Sequence, residues 1–260
     1  MSTEVSVQTP LWPVVRAWAV HAYTASGAAI ALLIVLAAFD GNAVRALWLG
    51  LLALIIDGTD GMLARRVRVK ELLPQFDGAR LDDIVDYLTY AFAPVLLLWS
   101  GGYLPGGDTG MVVAAIPLLA STYQFCRVDA KTDDHLFLGF PSYWNVLAFY
   151  VVVMDLPTAV TTVLVLVCSV LVFVPIGYLY PSRTVFLRPV SLALSAVWLV
   201  AYALLLTQMP EPSPVIIAIS LAYIAYYVAI SLYLTGRRRR RDRAAERPLA
   251  SSSSGRPGPG

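Results

Sequence analysis

The chain has 260 residues, of which 58% are hydrophobic and only 14% are charged, and its formal net charge is +2. Soluble domains carry charge on roughly a quarter of their residues, so this composition excludes an ordinary soluble protein. Apolar stretches of roughly 20 residues instead predict an all-α integral membrane protein, because stretches of that length cross a bilayer as helices rather than as strands of a barrel.

Composition divides the chain into three parts. Residues 1–15 are expected to form an N-terminal interfacial segment, with Trp12 at the level of the lipid headgroups. Residues 16–235 hold the apolar stretches and predict the membrane domain. Residues 236–260 begin with an arginine run and end in Ser, Gly and Pro, which predicts a disordered tail whose arginines bind anionic lipid.

Within the membrane domain the pattern predicts eight transmembrane helices. They lie at about 16–38, 43–64, 80–99, 111–127, 142–154, 158–179, 189–207 and 213–235. With both termini inside, only Arg45 of the 19 Lys and Arg residues falls on the outer side. This asymmetry follows the positive-inside rule, so the loop between the second and third helices is expected to be cytoplasmic.

Four aspartates lie where the second predicted helix ends and the third begins. On a helix that advances 100° per residue, Asp60 lies about 60° from Asp57, so the two share a face. Asp82 and Asp86 are four residues apart and share a face of the next helix. Two helix faces could therefore bring four carboxylates to one site. Asp83, about 100° from Asp82, is expected to point away from it.

Four carboxylates drawn together would repel one another unless cations lay among them. Hard divalent ions prefer oxygen ligands, so the pattern predicts a site for Mn²⁺ or Mg²⁺ that leaves positions open for substrate phosphates. A pair of such ions can hold the attacking and leaving oxygens of a phosphoryl displacement. Gly61 and Gly78 lie on the same faces and would let either a nucleotide or the neighbouring helix approach closely.

Other polar residues near the inner boundary have more than one interpretation. His21 and Thr24, in the first turns of the first helix, either contact a substrate headgroup or are satisfied by packing and hydrogen bonds. The polar segment 127–142 is either a functional loop or a solvated connector. Three inner arginines either bind a donor diphosphate, bind an acceptor phosphate or face water: Arg127, Arg183 and Arg188.

Eight positions of the aspartate stretch follow one ordered pattern across two adjacent helices: Asp57, Asp60, Gly61, Ala64, Arg65, Gly78, Asp82 and Asp86. The pattern resembles the signature of the CDP-alcohol phosphatidyltransferases. Its spacer of twelve residues between Arg65 and Gly78 is longer than in most of that family and resembles the bacterial branch that uses choline. The likeness extends to residues 21–27, 129–135, 139–145 and 180–183.

The resemblance implies a CDP-alcohol phosphotransferase-like fold and transfer of a phosphatidyl group from CDP-diacylglycerol to choline, with release of CMP and a requirement for Mn²⁺ or Mg²⁺. It implies that Asp57, Asp60 and Asp82 hold metal and that Asp86 holds metal and takes the hydroxyl proton. An aspartate with a pKa of about 4 is a weak base, so the hydroxyl must be acidified or lose its proton late.

The family pattern also assigns Gly61, Ala64, Arg65 and Gly78 to the CDP-diacylglycerol site. From their positions in the sequence, Thr24 is a further candidate contact of that substrate, and His21, Arg127 and Arg183 are candidates for the diphosphate or headgroup. The resemblance implies a protein of the bacterial cytoplasmic (inner) membrane, and the charge asymmetry predicts that the site lies on its cytoplasmic side. Members of the family are usually homodimers. Membrane lipids, but no nucleic acid, are the other expected partners.

Choline carries a quaternary ammonium, which donates no ordinary hydrogen bond and is typically held by aromatic faces, often with a carboxylate nearby. Aromatic residues of the inner half are candidates, although residues at that depth also form interfacial belts: Tyr87, Tyr90, Tyr123, Tyr143 and Trp144. Serine, inositol and glycerol 3-phosphate are the alternative acceptors, and a phosphorylated acceptor would need a basic pocket instead.

An ion-coupled transporter is a further alternative, because ionisable residues within membrane helices often mark ion pathways. Transporter sites usually lie near the bilayer midplane at broken helices, whereas all four aspartates lie at one predicted boundary. A purely structural role would require the small residues but not the acids. The sequence therefore favours a phosphatidyltransferase.

Overall fold

Helices make up most of the computed structural model, which describes residues 11–130, 132, 136–181, 184 and 186–251, with side chains as far as residue 241. The helices are α1 Leu11–Phe39, α2 Ala43–Val67, α3 Val69–Leu72, α4 Gly78–Asp86, a π-helical segment Tyr87–Phe92, α5 Ala93–Ser100, α6 Gly107–Cys126, α7 Trp144–Val153, α8 Thr158–Phe173, α9 Arg188–Thr207 and α10 Pro214–Ser251. Arg183 lies outside the described residues.

Five helices in the described part of the chain are long and apolar enough to cross a bilayer: α1, α2, α6, α9 and α10 as far as Arg241. The third predicted helix is the continuous run of α4, the π-helical segment and α5 from Gly78 to Ser100. The fifth and sixth are the shorter apolar helices α7 and α8, of 10 and 16 residues. The prediction of an all-α, multi-pass membrane protein is confirmed.

Both ends of the membrane domain differ from the prediction. Helix α1 begins at Leu11, so part of the expected interfacial segment is helical. Helix α10 continues to Ser251, although we expected disorder from residue 236. Arginine and alanine favour helix, and adding residues to an existing helix is much easier than starting one, so the apolar helix extends into the basic segment.

Two short strands, β1 Leu136–Leu138 and β2 Gly177–Leu179, form an antiparallel pair that the sequence did not predict. Three residues are too few for a periodic pattern to be recognised. Helix α10 holds this pair in place, because the N–H groups of Gly177 and Leu179 donate to the hydroxyls of Thr235 and Ser231 at 2.8 and 3.0 Å. Thr235 and Ser231 are one helical turn apart, which matches alternate residues of the strand.

Small residues allow α1 to pack closely against its neighbours α2 and α4. The buried side of α1 includes Ala17, Gly27, Ala31, Ala37 and Ala38. A Cβ atom on Gly27 would lie 2.5 Å from Cγ1 of Val85, so this glycine sets the distance between α1 and α4. The close approach draws the third predicted helix, which carries Asp82 and Asp86, against the first two.

Local signals in the sequence set the limits of α4. Asp77 caps its first turn, since Oδ1 accepts hydrogen bonds from the N–H groups of Ala79 and Arg80, each at 3.1 Å. The π-helical segment follows directly after Asp86. Pro94, near the start of α5, has no N–H to donate to the carbonyl of Tyr90, so regular α-helical bonding cannot continue through this point.

Candidate active site

The structure brings three of the four aspartates together. One carboxylate oxygen from each of Asp57, Asp82 and Asp86 lies within 4.8 Å of the other two. Asp57 comes from the second half of α2, and the other two come from one face of α4. All three side chains are partly buried. We call these residues the aspartate cluster.

Asp60 borders the cluster but has a different environment. It is buried, and its Oδ2 accepts a 2.8 Å hydrogen bond from the hydroxyl of Thr24 on α1. It is not among the three residues whose oxygens lie within 4.8 Å of one another. It does line the narrow space, about 10 Å³ in volume, that also touches Asp57, Asp82 and Asp86. The four aspartates therefore meet at one place, with Asp60 held toward α1.

A first cavity of about 530 Å³ opens on the Asp60 side of the cluster. It is lined by Thr24 and by the four residues that the family pattern assigns to CDP-diacylglycerol, which are Gly61, Ala64, Arg65 and Gly78. Asp60 and Asp82 also line it, and Arg68 and Lys70 add positive charge. Basic and acidic groups in one cavity suit a ligand that carries phosphates together with bound cations.

The long spacer after α2 forms part of this cavity. Val69, Lys70, Glu71 and Phe76 all line it. The ring of Phe76 packs against Trp18 and His21 of α1, with centroid distances of 5.2 and 4.4 Å. The spacer is therefore folded against α1.

His21 is buried beside the first cavity, and its Nε2 has no hydrogen-bond partner among the described residues. Its ring occupies the space that a side chain at position 78 would need, because a Cβ atom on Gly78 would lie 2.6 Å from Cε1 of His21. Buried polar atoms are usually hydrogen-bonded, so this nitrogen is suited to contact a bound ligand.

A second cavity of about 280 Å³ lies on the other side of the cluster and is lined by Asp57, Asp82 and Asp86. Asp82 lines both cavities, so the cluster lies where they meet. As expected, Asp83 is not among the three converging residues and does not line the narrow space between the four aspartates, although it also lines the second cavity. The cavity spans a wider arc of α4 than the narrow face on which the expectation was based.

Aromatic rings form much of the second cavity: Tyr90, Phe125, Phe137, Tyr143 and Tyr180. Tyr90 belongs to the π-helical segment, and its hydroxyl donates a 2.5 Å hydrogen bond to Oδ2 of Asp57. The rings of Tyr90 and Tyr143 lie 6.1 Å apart. The second cavity therefore combines carboxylates with aromatic faces.

No protein-family model matches the chain. Individual relatives cover most of it. A phosphatidylcholine synthase of Pseudomonas aeruginosa is 42% identical over 223 residues, which is 85% of this chain and 93% of the relative. The phosphatidylcholine synthase of Legionella pneumophila is 42% identical over 226 residues, which is 84% of this chain and 88% of the relative. That of Borreliella burgdorferi is 34% identical over 229 residues, which is 87% of this chain and 97% of the relative. The chain belongs to the phosphatidylcholine synthase family.

Only some of the aromatic residues predicted to contact choline line a cavity in this member of the phosphatidylcholine synthase family. Tyr143 and Tyr90 line the second cavity. Tyr87, Tyr123 and Trp144 are not among the residues that line either cavity. Trp144 is fully buried, and its Nε1 donates a 2.7 Å hydrogen bond to the hydroxyl of Ser121. Its role is therefore in packing and not in contact with choline.

Tyr87 and Tyr123, two further candidates for choline contact, pack outside the second cavity. Tyr87 packs edge-on against Phe125, and its hydroxyl reaches the carbonyl of Leu118 at 3.4 Å. Tyr123 is 46% exposed and packs on Phe173 with a centroid distance of 4.9 Å. Depth in the membrane could be predicted for these residues, but the direction of each ring depends on packing between helices.

Arg127 lines the second cavity and pairs with Asp129. Its Nε and Nη2 donate to the two carboxylate oxygens of Asp129 at 2.5 and 2.8 Å. These hydrogen bonds hold the pKa of Asp129 below its ordinary value. Because a carboxylate already occupies the guanidinium, Arg127 is poorly placed to bind a second anion.

Several lining residues of this phosphatidylcholine synthase family member were not predicted: Arg68, Lys70, Phe76, Asp83, Gln124, Phe137 and Tyr180. A signal existed for two of them. Phe137 lies between the segments 129–135 and 139–145, and Tyr180 begins the segment 180–183, which were all noted for their family likeness. The other residues had no signal that distinguished them from surface charge or ordinary packing.

Proposed function

We propose that this protein transfers the phosphatidyl group of CDP-diacylglycerol to choline and so forms phosphatidylcholine and CMP. The observation that carries the proposal is the aspartate cluster at the junction of two cavities, with Asp82 lining both. Two substrates bound on either side of the cluster would have their reacting atoms next to each other, and such proximity lowers the barrier to transfer. The names of the relatives support this choice of substrates.

The first cavity is proposed to hold the CDP part of the donor. Its volume of about 530 Å³ lies within the usual range for small-molecule sites. Gly61 and Gly78 would bring helix backbone close to the nucleotide, and Arg65 with Arg68 would face the diphosphate. His21, whose Nε2 has no hydrogen-bond partner among the described residues, is proposed as a further contact of CDP-diacylglycerol.

Three carboxylates with oxygens within 4.8 Å of one another form a donor set that fits Mn²⁺ or Mg²⁺. Asp57, Asp82 and Asp86 would hold the metal, and Asp60 would lie at the edge of the site. A bound divalent ion would supply neutralisation of the charge that develops on the diphosphate and would acidify the acceptor hydroxyl.

In the proposed reaction the choline oxygen forms a bond to the phosphorus that carries diacylglycerol. The bond from that phosphorus to the bridging oxygen breaks, and its electron pair leaves with CMP. The hydroxyl proton passes to Asp86, which lines the second cavity. Because an aspartate is a weak base, with an ordinary pKa of about 4, this proton leaves late in the reaction.

The second cavity is proposed to hold the acceptor, and its chemistry favours a cation over a phosphorylated alcohol. The cavity is lined by four carboxylates, those of the aspartate cluster and that of Asp83. Arg127, which lines the same cavity, is engaged by Asp129. Glycerol 3-phosphate would therefore meet an acidic and aromatic surface. Inositol carries no positive charge for the aromatic faces to attract, and the carboxylate that accompanies the ammonium of serine would be repelled by the acidic residues.

The orientation in the membrane is also a proposal. With both termini and the site on the cytoplasmic side of the bacterial inner membrane, the lysines and arginines outside the apolar helices concentrate on one side, as the positive-inside rule requires. The acceptor would then reach the second cavity from the cytoplasm. A homodimer is proposed from the family likeness alone.

The proposed reaction is tested with membranes that contain the full-length protein, CDP-diacylglycerol and Mn²⁺, to which choline, serine, inositol or glycerol 3-phosphate is added separately. We expect release of CMP and formation of phosphatidylcholine with choline. A better yield with another acceptor would overturn the choice of choline. Failure to release CMP with any acceptor would overturn the reaction class.

A further inference from the structure

We infer that the second cavity selects its substrate by the trimethylammonium group, through an aromatic cage of Phe137, Tyr143 and Tyr180 with Asp83 as the opposing charge. This inference rests on the proposed function, in which choline occupies that cavity. Aromatic faces attract a quaternary ammonium electrostatically without needing hydrogen bonds. Two of the three cage residues and the carboxylate were not expected from the sequence.

The two-stranded sheet brings the first two walls of the cage together. Phe137 lies in β1 opposite Tyr178 of β2, and Tyr180 is two residues beyond Tyr178. Side chains two residues apart along an extended chain point to the same side, so Tyr180 is a diagonal neighbour of Phe137. Their ring centroids lie 4.6 Å apart at an angle of 30°. These residues are 43 positions apart in the chain and meet only through the sheet.

The cage is built on a supported framework. Hydrogen bonds from β2 to Ser231 and Thr235 fix the sheet against α10. Tyr143, just before α7, is held between two other rings, since its centroid lies 6.1 Å from that of Tyr90 and 6.2 Å from that of Tyr227. Rings fixed in this way lose little conformational entropy when a ligand binds.

The polar groups around the cage also suit a cation. Asp83 lines the cavity, although it is outside the three-oxygen cluster. Gln124 is only 6% exposed; its Nε2 donates to the carbonyl of Leu138 at 2.9 Å, while its Oε1 has no hydrogen-bond partner in the described part of the chain. A buried acceptor oxygen at a cavity wall favours a positively charged ligand. Arg127 does not oppose this, because Asp129 neutralises it.

Recognition of the positive charge can be distinguished from recognition of the shape of the trimethylammonium group. The neutral alcohol 3,3-dimethylbutan-1-ol has the size and shape of choline but carries carbon in place of nitrogen, so it is the probe for this distinction. An aromatic cage with a carboxylate should prefer choline strongly. A cavity that recognises only apolar bulk should accept both alcohols about equally.

The experiment uses membranes with the full-length protein and measures the KM for choline, the KM for CDP-diacylglycerol and the ratio of kcat/KM for the two alcohols. The variants Phe137→Leu and Tyr180→Leu should each raise the KM for choline about tenfold or more and reduce the preference for choline over the neutral alcohol. The KM for CDP-diacylglycerol should change less than about twofold, since these residues do not line the first cavity.

Matched variants separate the cage from general damage to the fold. Tyr123→Leu removes an aromatic ring of similar depth that does not line the cavity and should leave the KM for choline unchanged. Phe137→Tyr and Tyr180→Phe keep the ring and should raise the KM for choline less than the leucine variants do. Asp83→Asn nearly preserves volume and should raise the KM for choline while activity at saturating choline persists.

An unchanged KM for choline in both leucine variants, or equal use of the two alcohols by the unaltered protein, would overturn the inference. If a leucine variant does not accumulate in the membrane, Asp83→Asn decides the result, and an unchanged KM for choline would contradict the assigned counter-charge. Absence of CMP release from the unaltered protein with choline would overturn the proposed function instead, so the two failures are distinguishable.

Discussion

The hydroxyl of Tyr90 donates a 2.5 Å hydrogen bond to Oδ2 of Asp57, which lies 33 positions earlier in the chain. The bond joins the π-helical segment to α2 and orients one carboxylate of the aspartate cluster. Hydrogen bonds to an ionised acceptor are shorter and stronger than those between neutral groups. Tyr90 is also 92% buried, so water cannot easily replace its hydroxyl.

Replacing Tyr90 with Phe should lower kcat about tenfold, because a hydrogen bond to a charged group contributes about 1.5–3 kcal/mol and its loss frees the Asp57 carboxylate to rotate. The Mn²⁺ concentration needed for half-maximal activity should rise as well. Tyr87→Phe is the control, since the Tyr87 hydroxyl does not contact the cluster. Wild-type kcat and metal dependence in Tyr90→Phe would show that the hydrogen bond does not position Asp57.

Each of Asp57→Asn, Asp82→Asn and Asp86→Asn should lower kcat/KM by about two orders of magnitude, because each removes one charged oxygen ligand from the cluster. Asp83→Asn should retain far more activity at saturating choline, since Asp83 is not one of the three converging residues. CMP release measured over a range of choline concentrations checks both expectations. Equal loss of activity in Asp82→Asn and Asp83→Asn would contradict the separation of metal and acceptor roles.

Replacing Gly78 with Ala should raise the KM for CDP-diacylglycerol. The new Cβ atom would lie 2.6 Å from His21, so the histidine ring or α4 must move, and overpacking of this kind typically costs about 1–3 kcal/mol. Gly58→Ala is a matched control on the neighbouring helix, because no atom lies within 4 Å of a Cβ at that position. An unchanged KM in Gly78→Ala would show that the part of the first cavity beside His21 does not bind CDP-diacylglycerol.

Removal of divalent metal should abolish phosphatidyl transfer. Without a cation the carboxylates of Asp57, Asp82 and Asp86 would repel one another and the anionic donor. Membranes treated with EDTA and washed should regain activity with Mn²⁺ or Mg²⁺ but not with monovalent salt. Full activity in washed, metal-depleted membranes would contradict the assignment of the cluster as a metal site.

Cysteine labelling tests the proposed orientation. In a background where Cys126 and Cys168 are replaced by serine, a cysteine at Lys70 should react with an impermeant reagent only from the cytoplasmic side. A cysteine at Asp108, at the start of α6, should react only from outside. Both positions are loop or helix ends, so substitution there should disturb packing little. Labelling of position 70 from outside would reverse the topology and place the site on the other side of the membrane.

The sequence by itself determined the membrane class, the regions of the apolar helices and which aspartates share a helix face. These features depend on local regularities: apolar length, charge asymmetry and the angular spacing of side chains on a helix. Asp82 and Asp86 are on one face because they are four residues apart, whatever surrounds them. The predicted residues of the CDP-diacylglycerol site line one cavity between α1, α2 and α4.

Only the tertiary structure decided which side chains face the second cavity. Trp144 and Tyr143 are adjacent in the chain, yet one is fully buried against Ser121 and the other lines the cavity. Phe137 and Tyr180 meet because two three-residue strands pair and hydrogen-bond to α10. Contacts of this kind depend on the packing of segments far apart in the chain. Periodic patterns within a segment do not predict where such segments meet.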